Sequence, residues 1–155
     1  PKALGLLWES NCNMVRCWGG NVYEDHAFFD WCDEHGIAVW QDFAMACACY
    51  PQDDGFCRRL QSEAEAVVRK LRGHASLFLW VGDNECDITI AGWHPLRRDP
   101  NKNLLTREVL PRVLERMDPF RPYLPSSPSS LPAAMRICHF TRSYPVTNSV
   151  TGCST

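Results

Sequence analysis

A glutamate that closely follows an apolar run is the sharpest chemical signal in the sequence. Glu85 comes after the run Leu77–Val81 and the polar residues Gly82, Asp83 and Asn84. A carboxyl group beside apolar surface is costly unless it is hydrogen-bonded or functional, and desolvation favours the protonated form that a general acid needs. The alternative is that Asp83 or Glu85 caps the helix that follows. Spacing alone leaves both interpretations open, with capping slightly ahead.

Two pairs of a tryptophan and a charged residue have the spacing of a strand face. Arg16 and Trp18 are two positions apart, as are Trp40 and Asp42, so each pair shares one face of its strand. A buried arginine needs a carboxylate partner, and a tryptophan offers a flat apolar platform for a sugar ring. A structural ion pair and a core tryptophan are the competing explanation. Trp93, in the loop after Glu85, is expected to be a second sugar platform or a loop anchor.

The elements that would position these residues alternate along the chain. Gly36 follows a helical pattern where a left-handed C-cap is expected, and Pro111 either kinks the last helix or marks its start. The continuous apolar run at 77–81 predicts a strand that is buried on both faces. The predicted strands are 14–18, 37–40, 77–81 and 122–124, and the predicted helices are 25–35, 56–71 and 104–117.

This alternation predicts an α/β fold with a parallel sheet and right-handed crossovers. The sheet is either a small doubly wound one or part of an eight-stranded barrel, which takes about 250 residues when whole. In both cases the functional residues lie just past the carboxyl ends of the strands. Those ends are 18–20, 41–43 and 82–85.

Composition excludes several classes of protein. The 155 residues are 45% hydrophobic and 22% charged, which supports a packed core and excludes wholesale disorder. The net charge of -2 gives no basic surface for nucleic acid, and no apolar run approaches the ~20 residues of a membrane helix. The sequence contains no recognisable Gly-rich phosphate loop and no recognisable Ser/His/Asp grouping. We expect no cofactor, no nucleic acid and no membrane as partners.

Nine cysteines are many for this length, and the odd number would leave one thiol outside any closed disulfide framework. Cys17, Cys32, Cys47 and Cys49 lie in apolar stretches, so they are expected to be buried, reduced thiols in a cytoplasmic protein. A zinc site is the alternative, with Cys32 and His35 or Cys47 and Cys49 as ligands. No second knuckle completes either pair, and we predict no metal.

The character of the sequence changes towards its end. All 18 acidic residues lie at or before Asp118, and the stretch from Pro119 holds 6 of the 11 prolines. We therefore predict two regions: a folded domain at 1–128, and an irregular or disordered tail at 129–155. An out-of-frame reading would explain the tail's composition, and a true flexible loop is the alternative.

At these residues the chain resembles the central barrel of glycoside hydrolase family two. The WGG and WQDF stretches, at 18–20 and 40–43, are most similar to its β-mannosidase branch. The similarity runs from about residue 11 to residue 128. The segments that carry it are 13–24, 28–30, 32–37, 39–43, 71–76, 79–85, 118–123 and 125–128.

The resemblance implies about half of a TIM barrel from a retaining glycosidase. Glu85 would be the acid/base, and Asn84 would contact the 2-hydroxyl group of the sugar. Arg16, Trp18 and Asp42 would line the subsite for the terminal sugar. The substrate expected is an oligosaccharide or β-mannoside that ends in a non-reducing β-D-mannose, and the remaining partner is the rest of the parent polypeptide.

Two departures from the family pattern matter. Asp83 stands where the family usually has an asparagine. The family's nucleophilic glutamate lies on a later strand, whereas no acid follows Asp118 here, so the chain alone is expected to be inactive. The alternatives are another family-two specificity (β-galactosidase, β-glucuronidase or exo-β-glucosaminidase) or a non-enzymatic, Cys-rich α/β module.

Overall fold

The computed structural model describes residues 2–93 and 98–129, except for the side chain of Trp93. The predicted sugar platform at Trp93 and nearly all of the predicted tail at 129–155 therefore lie outside the described part. Within that part, no helix is long and apolar enough to cross a bilayer.

Four parallel strands form one sheet in the order in which they occur along the chain. They are β1 (Met14–Cys17), β2 (Ala38–Asp42), β3 (Leu77–Val81) and β4 (Tyr123–Leu124), in the order β1-β2-β3-β4. A doubly wound sheet reverses its strand order at a switch point, whereas a barrel adds each strand beside the last. The predicted α/β partial barrel is thus confirmed, and the doubly wound alternative is not the one adopted.

The three predicted helices are present, together with shorter helical turns. The helix α1 was not expected from the sequence and buries none of its residues. The helices are α1 (Lys2–Glu9), α2 (His26–His35), α3 (Asp54–Leu71), α4 (Cys86–Ile88) and α5 (Leu110–Met117); π-helical turns span Thr89–Trp93 and Leu105–Val109, and a 3-10 turn spans Pro100–Lys102.

Local chemistry explains where α2, α3 and α5 begin and end. Gly36 ends α2 with a φ of 68°, the left-handed conformation that glycine tolerates best. Asp53 caps α3 by accepting a hydrogen bond from the backbone N–H of Phe56 at 3.0 Å. Pro111 lies in the first turn of α5, directly after the wide π-helical turn, so it marks a start rather than a kink.

The helices cover one face of the sheet. Register places Arg16, Trp40 and Leu79 side by side, and therefore on one face, while Cys17, Gln41 and Trp80 share the other. The apolar side chains of the second face join the buried residues of the helices in a single cluster. Its members include Cys17, Phe29, Cys32, Val39, Leu60, Ala64, Val67, Val68, Leu71, Trp80, Leu110, Val113 and Leu114.

A bulge in β3 corrects one sequence-based expectation. Val39 pairs with Leu77 and Trp40 pairs with Leu79, so Phe78 is an extra residue with no partner in β2. The side chain of Phe78 is 54% exposed, whereas the continuous apolar run predicted burial of every position. The extra residue breaks the strict alternation of faces, which is why one member of the run turns outward.

Polar side chains hold β4 against β3. The indole N–H of Trp80 donates to Oδ2 of Asp118 at 2.9 Å, and Nη1 of Arg121 donates to the same oxygen at 2.5 Å. Arg121 also donates to the backbone oxygens of Leu77, at 2.6 Å, and His74, at 2.8 Å. These bonds fix the short strand β4 and bring residues 125–128 alongside the end of β3.

Candidate active site

The carboxyl ends of β2, β3 and β4 are joined beyond the strands themselves. Asn84 forms isolated parallel bridges with Ala46 on one side and Ser127 on the other. The N–H of Asn84 donates to the oxygen of Met45 at 2.9 Å, and that of Glu85 donates to the oxygen of Ser127 at 3.1 Å. The loops that carry the candidate residues are therefore held by the same kind of backbone ladder as the sheet.

Arg16, Asp42 and Asn84 form one hydrogen-bonded group across three strand ends. Nη2 of Arg16 lies 2.7 Å from Oδ2 of Asp42 and 3.0 Å from Oδ1 of Asn84, and its Nε lies 3.3 Å from Oδ1 of Asp42. The two contacts to Asp42 give the paired geometry of a charge-assisted arginine–carboxylate bond. The structure thus brings together three of the six residues that the sequence indicates.

Asp42 is saturated with donors. Besides Arg16 it accepts from the N–H of Gly19 at 3.0 Å and from the indole N–H of Trp40 at 2.7 Å, and it is 1% exposed. A carboxylate has about four acceptor positions, and all are directed at a donor here. Asp42 is therefore an anchor for other groups and is poorly suited to act as a nucleophile.

Gly19 can reach Asp42 because it has no side chain. A Cβ atom at this position would lie 2.4 Å from the backbone oxygen of Met45 and 2.7 Å from that of Phe43. Any other residue would push the loop after β1 away from the end of β2 and break the Gly19–Asp42 bond.

The two tryptophans play different parts. The guanidinium of Arg16 lies 5.1 Å from the ring centroid of Trp40, a cation–π contact that adds to the anchoring of Arg16. Trp18 is 48% exposed, and its ring lies so close over Gly20 that a Cβ there would come within 2.1 Å of it. An exposed, backbone-supported indole has the form expected of a sugar platform.

Glu85 does not cap the helix that follows it. The backbone N–H of Cys86 is accepted by Oδ1 of Asp83 at 3.1 Å, and Glu85 makes no capping bond. The backbone of Glu85 is left-handed, with a φ of 60°, a conformation that few residues other than glycine adopt. The capping explanation therefore applies to Asp83, and the half-buried side chain of Glu85 takes no part in the cap.

Asp83 is a buried acid with one oxygen unpaired. Oδ1 lies 2.5 Å from Oγ of Ser126, while Oδ2 has no hydrogen-bond partner among the described residues. Burial raises the pKa of Asp83 to about 6, against the opposing effect of the bonds from Ser126 and Cys86. Asp87, the next buried acid, is held by both Nη atoms of Arg107 at 2.9 and 2.6 Å. Neither acid is accessible to a substrate.

Cys47 lies beside Glu85, a contact that the sequence did not predict. Its Sγ is 3.4 Å from Oε2 of Glu85 and 3.4 Å from Nδ2 of Asn84. Cys47 and Cys49 are exposed, which corrects the expectation that they are buried, whereas Cys17 and Cys32 are buried as predicted. The available signal was position: both exposed thiols lie in the loop that leaves the carboxyl end of β2.

The cysteine-based zinc sites considered from the sequence are not assembled in the described residues. Cys32 is in the core, and His35 is bonded through Nδ1 to the oxygen of Trp31 at 2.8 Å. One grouping of three potential metal ligands occurs in the described part, namely Asp30, Asp33 and His74.

That grouping lies at the amino end of β3, opposite Glu85, and contains no cysteine. Asp33 uses its two oxygens to accept from Nδ1 of His74 at 2.8 Å and the N–H of Ser76 at 2.6 Å. These bonds account for the grouping as a structural contact between α2 and the start of β3.

Comparison with known proteins relates this arrangement to the glycosidases. No family model matches the chain. Bovine β-mannosidase is 37% identical over 130 residues, which cover 79% of this chain and 15% of that protein. β-Mannosidase B of Neosartorya fischeri is 38% identical over 140 residues, 82% of this chain and 16% of its own length. The chain thus spans about a sixth of the length of the curated relatives that it matches.

Solved structures of glycosidases are also similar to this chain. A β-D-mannosidase from Dictyoglomus thermophilum has a TM-score of 0.76 at 44% identity, over 81% of this chain and 16% of that one. A β-glucuronidase of Bacteroides uniformis has a TM-score of 0.64 at 21% identity, over 79% of this chain and 15% of its own, which shows a shared fold. The described segment has the architecture of part of the α/β barrel of these glycosidases. Within that class the resemblance to the β-mannosidase branch of glycoside hydrolase family two is confirmed.

Proposed function

We propose that these residues form the acid/base half of a retaining β-mannosidase active site, which removes terminal β-D-mannose from oligosaccharides or β-mannosides. The observation that carries the proposal is the Arg16–Asp42–Asn84 group, which lies next to an accessible Glu85 that does not cap its helix. The relatives at 35–38% identity are β-mannosidases, which supports the choice of sugar.

Glu85 is the proton donor and acceptor in this proposal. It protonates the leaving-group oxygen in the first step and takes a proton from water in the second. Its left-handed backbone directs the residue out of the helical path of α4, and Asp83 leaves it free by taking over the cap.

The neighbouring residues bind the terminal sugar. Arg16 donates to Oδ1 of Asn84, and this bond fixes the orientation of the amide group. One N–H of Nδ2 is directed at Cys47, and the other remains for the 2-hydroxyl of the sugar. Hydrogen bonds to this hydroxyl strengthen in the transition state of such enzymes and, together with distortion of the sugar ring, contribute several kcal/mol. Trp18 supplies the exposed apolar platform, and Asp42 holds Arg16 in place.

Retaining hydrolysis also needs a second carboxylate, about 5–5.5 Å from the first. Asp42, Asp83 and Asp87 are each buried and bonded to other groups, so none of them supplies it. We therefore expect the nucleophile to come from the rest of the parent polypeptide, so that this 155-residue chain, purified alone, should not hydrolyse aryl β-mannosides.

A hybrid enzyme, in which part of this chain replaces the matching part of a complete relative, tests the proposal. Residues 11–128 of this chain replace the matching segment of the Dictyoglomus thermophilum β-mannosidase, to which the chain is 44% identical. The hybrid is assayed with aryl β-D-mannosides and with the corresponding galactosides and glucuronides. We expect hydrolysis of the mannosides. Glu85→Gln should lower kcat by about 10²–10⁴-fold, and the loss should be greatest for leaving groups that need protonation most.

Glu108→Gln is the matched control, because it makes the same chemical change in an exposed pair with Arg112. A folded hybrid in which Glu85→Gln keeps full activity would contradict the role of Glu85. If the hybrid prefers a galactoside or a glucuronide, the proposed specificity for mannose is wrong, and the site has another specificity found in the family.

A further inference from the structure

We propose that Cys47 is a positioning residue for Glu85, and that its S–H group holds the carboxylate by a hydrogen bond to Oε2. The Sγ–Oε2 distance is 3.4 Å, within the range of bonds that involve sulfur. The catalytic meaning of the contact rests on the proposed function, but the contact itself does not.

When Glu85 is ionised, the donors and acceptors allow one arrangement. The oxygens of the Glu85 carboxylate only accept, so Cys47 donates to Glu85 in that state, and Nδ2 of Asn84 only donates, so the sulfur accepts from it at 3.4 Å. A neutral thiol can do both at once. Desolvation raises the pKa of Cys47, and so does its bond to Glu85, which agrees with a protonated thiol at neutral pH.

The bond completes a chain of donors that runs in one direction. Arg16 donates to Oδ1 of Asn84, Nδ2 of Asn84 donates to Sγ of Cys47, and the thiol donates to Glu85. Bonds arranged in this way polarise one another and strengthen the last member. The chain links the arginine on the sugar-binding side to the acid/base.

The backbone fixes the thiol in this position. The N–H of Cys47 donates to the backbone oxygen of Asn84 at 2.8 Å, and Cys47 has a left-handed backbone with a φ of 48°. Because Asn84 is tied to Cys47 and directly precedes Glu85, the three residues are held as one unit. A strained non-glycine backbone is characteristic of sites where a side chain must be aimed.

Thiol alkylation tests the bond without any need for turnover. The 155-residue chain and its Glu85→Gln variant are treated with iodoacetamide over a range of pH, and each cysteine is followed by tandem mass spectrometry. Glu85→Gln keeps an acceptor of the same shape and removes the charge that disfavours the thiolate. We expect the rate at Cys47, at a pH below its thiol pKa, to rise about threefold or more.

Cys49 is an internal control, since it is also exposed and lies in the same loop. Its rate should be the same in both proteins. An unchanged rate at Cys47, or an equal rise at both thiols, would overturn the proposal. Either result can be distinguished from failure of the proposed function, because the hybrid enzyme tests that function separately.

Discussion

At the scale of single residues, Asp42 organises the candidate site more than any other side chain. It collects donors from β1, from the loop after β1 and from its own strand, and through Arg16 it reaches the end of β3. A buried carboxylate is costly unless its partners are complete, and here they are complete. The same arrangement makes the site sensitive to any change at this position.

Replacement of Asp42 by asparagine should destabilise the chain by about 2–4 kcal/mol. The amide offers one accepting oxygen and turns an NH2 group towards donors, so at least one of Arg16, Gly19 and Trp40 loses its acceptor. Urea unfolding followed by tryptophan fluorescence measures the change. Glu108→Gln, which breaks an exposed ion pair, should lower the free energy of unfolding by less than about 1 kcal/mol. Equal losses in the two variants would show that the hydrogen bonds of Asp42 contribute no more to stability than an exposed pair.

Asp83→Asn should stabilise the chain at pH 7 and have little effect at pH 4. Burial raises the folded-state pKa of Asp83 from 3.8 to about 6, so the unfolded carboxyl group ionises first as the pH rises. Stability is therefore lost between about pH 4 and pH 6 and stays reduced above that window, by about 2–3 kcal/mol.

Asparagine removes this penalty because it does not titrate. Urea unfolding of both proteins at a series of pH values tests the prediction. A difference in the free energy of unfolding that does not vary with pH would mean that Asp83 does not titrate in this window.

At the scale of elements, the sequence predicted the parts that depend on near neighbours. Gly36 and the apolar stripe of α3 have direct local signals, and the pairing of Arg16 with a carboxylate follows from strand parity and burial. The bulge at Phe78 and the left-handed backbone at Cys47 depend on how strands meet in space, so no local pattern revealed them. For the same reason the Cys47–Glu85 contact was not predicted, although each residue was noticed separately.

The bulge in β3 predicts unequal costs at two neighbouring positions. Phe78→Thr should change the free energy of unfolding by less than about 1 kcal/mol, because more than half of the residue is exposed to solvent. Leu79→Ala removes a buried side chain from the next position and should cost about 2–5 kcal/mol. Urea unfolding of the two variants tests this order, and a larger loss at Phe78 would contradict the register.

At the scale of the whole molecule, the described sheet ends in two edge strands that pair with no further strand among the described residues. β1 and β4 each pair on one side within residues 2–93 and 98–129. Large apolar side chains are exposed on the same part of the chain, including Met14 in β1 and Trp18 just after it. Open strand edges and exposed apolar surface favour association with another chain.

The 155-residue chain should therefore self-associate as its concentration rises, and a charge on the edge strand should oppose this. Met14→Lys places a lysine on β1, where such residues block edge-to-edge pairing. Leu6→Lys adds the same charge to α1, which is not a strand of the sheet, and should reduce association less. Sedimentation velocity at increasing concentration measures the association of all three proteins. A wild-type chain that stays monomeric and unfolds cooperatively would show that these four strands need no neighbour, and would contradict the interpretation of β1 as an unsatisfied barrel edge.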